Sequence, residues 1–210
     1  MRNPIIALAL TSALAATTPA FAQANADEIA QLKQRVAQLE KQVQELSQVV
    51  EPLKAQQAAD TRRKALRAKF EKRRAEDREK YSQEQLREAE NLMGVADQHF
   101  GSAEASEALQ TLLKKYPTSN RAGCAMLYVA QTSKGDSRQS SLRECIEKYN
   151  DCFYGDGVQV GAYARLLLAE DLKTNGEEKK ATAFYTEIKT SYPDAIDHRG
   201  NLLVDSIKAH

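Results

Sequence analysis

The feature that most constrains this chain is a run of eight apolar residues at strictly alternating intervals. Ile29, Leu32, Val36, Leu39, Val43, Leu46, Val50 and Leu53 follow one another at steps of three and four. A mean spacing of about 3.5 residues holds one narrow stripe in line along an under-wound helix, which suits packing against a second such helix. β-Branched residues fall at a and Leu at d, a pattern that favours two strands and leaves three open. Between them lie Gln, Lys, Glu and Ala, all good helix formers. In a parallel register Glu28 (g) faces Lys33 (e) of a second copy, and Arg35 (g) faces Glu40 (e), each pair opposite in sign. We therefore expect residues 23–54 to form a coiled-coil segment holding a parallel homo-oligomer, dimer or trimer. The alternative is an amphipathic helix folded back on its own domain, for which so narrow a stripe is poorly suited. Pro52 is expected to end or kink the helix.

The chain opens with Arg2, an apolar stretch over residues 4–16, and Ala20-Phe21-Ala22. A short positive region, an apolar region and a small-x-small site make a secretory signal peptide. We expect it to span residues 1–22, with cleavage before Gln23. An uncleaved anchor is disfavoured because the apolar stretch falls short of the ~20 residues that span a bilayer. No Cys follows the site, which disfavours a lipid anchor. The expected location is periplasmic or extracellular, soluble after cleavage.

Charge is unevenly distributed. Residues 62–80 hold ten basic and four acidic residues, whereas residues 81–210 hold fifteen and nineteen. The heptads fail here, since the next a and d positions are Gln57 and Asp60. Residues 55–81 read as a charged helical connector, a solvated helix with i,i+4 pairs such as Lys72 with Glu76. Its cations, Arg62, Arg63, Lys64, Arg67, Lys69, Lys72, Arg73 and Arg74, offer an anionic-surface contact with lipid, lipopolysaccharide or cell-wall polymer. The export signal and the lack of interleaved aromatics disfavour nucleic acid, and none is expected as a partner. Few glycines, few aromatics and no Trp argue for helices and against a β-sandwich or a nucleotide-binding α/β enzyme.

The remainder, residues 82–210, repeats itself. Leu-Leu-Lys-Lys-Tyr-Pro ends at Pro117, Cys-Ile-Glu-Lys-Tyr-Asn at Asn150, and Glu-Ile-Lys-Thr-Ser-Tyr-Pro at Pro193. Each closes an amphipathic helix preceded by another. In the 34-residue frame of a tetratricopeptide repeat, the unit 162–195 puts Leu168, Ala169, Leu172, Gly176, Ala181, Tyr185 and Ile188 where that repeat takes bulky, small, turn and aromatic residues. Small residues let the paired helices approach, and Gly176 ends the first helix in a left-handed conformation. Units 86–119 and 119–152 match less well. The middle one has Arg138 where a small residue belongs. Residues 153–161 read as an insertion, and residues 196–209 as a capping helix that covers the open end of the array. The expected fold is thus all-α: a coiled-coil helix, a charged helical connector and tetratricopeptide-like (TPR-like) hairpins.

Signal peptide, coiled coil, polar linker and C-terminal repeats, in that order, resemble the periplasmic Tol–Pal-associated cell division coordinator family. Leu112-Leu113-Lys114-Lys115-Tyr116-Pro117-Thr118-Ser119 looks like that family's repeat junction, as does Ile188-Lys189-Thr190-Ser191-Tyr192-Pro193. The long basic helix, the insertion and the weak middle repeat depart from it. The resemblance implies partners in the Tol–Pal envelope machinery and in peptidoglycan synthesis.

Three cysteines admit a disulfide in an exported chain. Cys145 sits at a packing position. Cys124 and Cys152 lie near successive helix starts and form the preferred bridge, with three buried thiols as the alternative. Asp156 is expected to cap the Val158 and Gln159 amides, or its loop to bind a partner, and Asp194 to cap the last helix. No phosphate loop, nucleophile elbow or paired metal-binding His is present, and His99, His198 and His210 are scattered. We expect no enzyme, no cofactor and no metal. Function is expected in the concave groove, carried by Asn120, Tyr128 and Gln131 of the middle unit and Tyr163, Glu170 and Lys173 of the last. Such a polar groove with Tyr anchors would take a peptide or protein partner, and oligomerisation would raise avidity. The alternatives are a structural envelope protein that binds cell wall or membrane through its basic helix, and an accessory subunit of an exported enzyme.

Overall fold

The computed structural model describes residues 18–208, with side chains for residues 28–207. Residues 1–17, and most of the expected signal peptide with them, lie outside the described residues. Among those described, eight helices make up the fold: α1 (Thr18–Lys80), α2 (Gln83–Gln98), α3 (Ala103–Lys115), α4 (Asn120–Thr132), α5 (Gly135–Lys148), α6 (Val160–Thr174), α7 (Glu178–Ser191) and α8 (Leu203–Lys208). No helix of the described residues is long and apolar enough to cross a membrane. The chain divides into two compact units at Ala58 and Ala59, so α1 contributes to both.

In the first unit the described side chains are exposed. The eight stripe residues lie between 39% and 63% exposed, so a single chain gives this seam nothing to pack against. Pro52 neither ends the helix nor begins a loop: α1 runs through it. The missing N–H frees only the Gln48 carbonyl, which at this exposed site can turn to water.

In the second unit consecutive helices pack in pairs: α2 on α3, α4 on α5, α6 on α7. Short polar signals delimit them. Ser82, Ser102 and Ser119 each cap a helix by accepting from the amide three residues on, at Gln85, Ala105 and Ala122. Gln85 returns the bond to the Ser82 amide, which closes a capping box. Tyr116, Tyr149 and Tyr192 end α3, α5 and α7, and each donates its amide to a carbonyl four residues back. Leu109, Leu112, Leu127, Leu142, Leu168 and Leu172 form the buried core, with Ala105, Ala122 and Ala169 allowing close approach. Gly176 takes the left-handed conformation expected of it (φ 81°). Arg138, half-buried on α5, donates to Asp171 at 2.7 Å and to the Ala130 carbonyl.

The connector differs from the solvated helix expected. Leu66, Phe70, Arg73 and Asp77 lie on one face of α1 and are buried. Leu66 and Phe70 join a small core with Phe153, Val158 and Ile196, which belong to the loops after α5 and α7. The charged appearance of the segment hides this stripe, because two of its four members ionise and satisfy each other.

The insertion at 153–161 is itself repeated. Tyr149, Cys152, Phe153, Gly157 and Val160 correspond, at one constant offset, to Tyr192, Ala195, Ile196, Gly200 and Leu203. The hydrogen bonds correspond as well. Tyr154 N donates to Val158 O as Asp197 N does to Asn201 O, and Val160 N to Cys152 O as Leu203 N does to Ala195 O. Isolated bridges pair Phe153 with Gln159 and Ile196 with Leu202. Gly157 (φ 97°) and Gly200 (φ 85°) make the same left-handed turn. The last helix therefore starts at Leu203, not near residue 196, because a full loop precedes it. Asp194 consequently caps nothing; it stands 3.8 Å from Arg62 of α1. Asp197 instead accepts the amides of Arg199 and Asn201.

Candidate interaction surface

The six residues expected in the groove separate into two groups. Asn120 and Tyr128 are buried, at 1% and 4% exposure, and cannot meet a partner. Asn120 opens α4, and its side chain is spent on the Phe153 backbone: Nδ2 donates to the carbonyl and Oδ1 accepts from the amide, both at 2.8 Å. Tyr128 donates to the Ala96 carbonyl at 2.8 Å and accepts from the Gly101 amide, which ties α4 to the α2–α3 turn. Both are polar residues at helix positions that face another element, so their polarity serves the fold.

Tyr163, Glu170 and Lys173 remain on one side of α6, with Tyr163 and Glu170 half-buried and Lys173 exposed. Gln131 is half-buried at the end of α4. Burial first, then the Asp197 and Glu170 carboxylates, raises the Tyr163 phenol above its ordinary range, which keeps it a neutral donor. Lys173 also lines a shallow cleft of about 300 Å³ with Ala181, Tyr185, Lys189 and Ile207.

Beside Tyr163 lies a cluster that sequence reasoning missed. His198 Nδ1 is 2.8 Å from Asp156 Oδ2, and the imidazole stands edge-on to Tyr154 and Tyr163, at centroid distances of 4.9 and 5.5 Å. Asp156 also accepts the Val158 amide, but this is a turn within the loop and not the helix cap expected: α6 starts later, at Val160, with Gln159 at its N-cap position and no side-chain cap. Burial alone would raise the Asp156 carboxyl, but the bonds from His198 and Val158 outweigh it and hold the group below its usual range. Tyr154 is committed to the Cys124 carbonyl at 2.9 Å. The pair thus fastens the loop after α5 to the loop after α7, next to the open side of α6. The recurring loop pattern around Gly157 and Gly200 was the available signal, and a frame that treats the first loop as an insertion conceals it.

An imidazole–carboxylate pair is the core of a general-base arrangement. Here the neighbouring Tyr154 hydroxyl is committed to the Cys124 carbonyl and not to His198. No group of three or more His, Cys, Asp or Glu of the described residues is placed to hold a metal.

The expected Cys124–Cys152 bridge is not formed; Cys124, Cys145 and Cys152 are free and buried. Cys124 Sγ turns to the Phe153 carbonyl and Cys152 Sγ towards the Ser119 carbonyl, so the two sulfurs serve different partners. Cys152 packs so closely over Gly123 that a Cβ there would lie 2.5 Å from its own. Burial pushes all three thiols up, Cys152 to about 12. Thiolates are the reactive form, so the native protein should resist alkylation at neutral pH. All three thiols should react once it is denatured, a difference that mass spectrometry after iodoacetamide treatment reads directly. Rapid labelling of the native chain, or fewer than three thiols after denaturation, would contradict this packing.

No protein-family model, curated protein or solved structure matches the chain.

Proposed function

We propose that this chain is an exported oligomeric scaffold, which associates as a parallel dimer or trimer through residues 23–54 and binds a protein partner with the open side of its tetratricopeptide-like repeats. The observation that carries the reading is the eight-residue apolar seam, exposed along its length in a single chain. Exposed apolar surface of that regularity needs a partner helix, and a second copy supplies complementary charges at Glu28, Lys33, Arg35 and Glu40. The partner surface is the side of α6 that carries Tyr163, Glu170 and Lys173, extended by His198 and Asp156. The cell envelope as its setting, and cell division machinery as its context, rest on the export signal and on the resemblance to the Tol–Pal-associated coordinators.

The test is crosslinking of the exported full-length chain in intact cells. We expect self-crosslinked species and one heterologous product. The heterologous product should fall several-fold in a Tyr163→Ala, Lys173→Ala variant and persist in an Arg67→Glu, Lys69→Glu variant. A pattern unchanged by the first pair and abolished by the second would reject the groove in favour of the basic helix. Arg73 is left intact in this comparison because it is buried within the fold.

A further inference from the structure

Where α1 gives way to α2 the chain reverses at Tyr81 and leaves an open cleft of about 480 Å³. Arg74 and Arg78 enter it from the end of α1, and Arg87 from the second turn of α2. Each guanidinium is permanently charged. Three of them around one concavity repel one another unless an anion lies between.

The fold supplies no such anion. Glu90 is the one acidic residue that lines the cleft, and Arg121 holds it through two contacts, 2.5 Å from Nη2 and 2.8 Å from Nε. Glu84, at the start of α2, accepts from the Ser82 hydroxyl. Asp77, behind Arg74, is paired with Arg73. Arg74 rests its guanidinium over the Phe70 ring, 5.6 Å from the centroid, which orients the group without neutralising it. Among the described residues no carboxylate is within ion-pairing distance of Arg74, Arg78 or Arg87.

We propose that this cleft binds a phosphate group. A carboxylate is a monoanion that a single guanidinium fork satisfies. A phosphate monoester carries up to two charges on three acceptor oxygens, and so can bridge forks that arrive from two helices. Gln83, the first residue of α2, also lines the cleft. The positive end of that helix therefore adds to the same field. The cleft is open, so the phosphate can be a free ion or the exposed headgroup of a lipid.

Two titrations of the full-length protein separate these sources: inorganic phosphate by calorimetry, and co-sedimentation with phosphatidylcholine vesicles with or without phosphatidic acid. Binding in the first identifies a free phosphate ligand, and binding only to the phosphatidic acid vesicles identifies a headgroup. In either case Arg78→Gln with Arg87→Gln should weaken binding by at least about tenfold, as expected for the loss of two charge-assisted contacts. Both residues are exposed, and the variant should keep the helical signal and melting temperature of its parent. A Lys114→Gln, Lys179→Gln variant changes net charge equally and should bind as the parent does. No binding in either titration, or equal weakening by the lysine control, would overturn the proposal.

Discussion

Replacing Leu39 by proline should convert the oligomer to a monomer. Leu39 stands at a d position in the middle of the seam, with apolar residues on both sides. Proline there removes a backbone hydrogen bond and clashes with the preceding turn, at a cost of about 3 kcal/mol or more. It also removes a Leu side chain from every chain of the assembly. Full burial of such a side chain is worth about 1.5–3 kcal/mol, and the seam residues are roughly half exposed before association, so each has something like half of that to gain. The break also splits the seam, leaving Ile29, Leu32 and Val36 on one side and Val43, Leu46, Val50 and Leu53 on the other, so neither part keeps the continuous four-heptad stripe. The natural Pro52 is no counterexample, because only Leu53 of the seam lies beyond it. Sedimentation velocity should show the monomer mass, while the thermal transition of residues 59–210 stays in place. A variant that keeps the parent's mass would exclude the coiled coil, and with it the avidity on which the scaffold reading depends. The parent in the same experiment distinguishes dimer from trimer.

The legibility of this fold was uneven for physical reasons. Helices announced themselves where a short motif decides an end, as with the recurring tyrosines that close α3, α5 and α7, whereas the Ser82, Ser102 and Ser119 caps emerged only with the structure. The heptads were plain because nothing else in the sequence keeps so strict a period. What escaped were residues whose polarity is consumed inside the fold. Asn120 reads as a groove residue because it is polar on the first turn of a helix. It is in fact an amide that pairs on both sides with the Phe153 backbone. Arg73 and Asp77 read as two more charges in a basic run. They complete the buried face begun by Leu66 and Phe70. In the candidate surface, Tyr163 and Lys173 were legible from repeat spacing, whereas His198 and Asp156 meet only because two like loops stand side by side. The sequence signals it only through the recurrence of the loop around Gly157 and Gly200, not through any local motif.

Truncating Asp77 to alanine should be the most damaging single change in the second unit. Arg73 is 9% exposed at its side chain and donates to Asp77 Oδ1 at 2.5 Å and to the Thr118 carbonyl at 2.6 Å. Asp77 Oδ2 accepts the Asn120 amide at 2.8 Å, so one carboxylate serves both a buried cation and the first residue of α4. Asn120 then carries the connection on to Phe153, and α1 is fixed to two junctions by a single polar chain. Removing the carboxylate takes the nearest counter-ion from a buried guanidinium, leaving Glu76 and Asp151 at 3.8 and 4.0 Å; breaking a buried pair in this way costs about 3–5 kcal/mol. It also strips a negative charge from a helix N-terminus, worth about a further 0.3–1 kcal/mol. At about 2–4 °C per kcal/mol for a domain of this size, the melting temperature should fall by roughly 10 °C. Substituting Arg73→Met as well should recover much of the loss, because a buried ion pair is costly to break and cheap to replace with apolar packing. Thermal melts of both single variants and the double variant form the cycle that isolates the pair. An Asp77→Ala melt close to the parent's, or a double variant no better than that single, would show that the pair does not hold the end of α1 to α4.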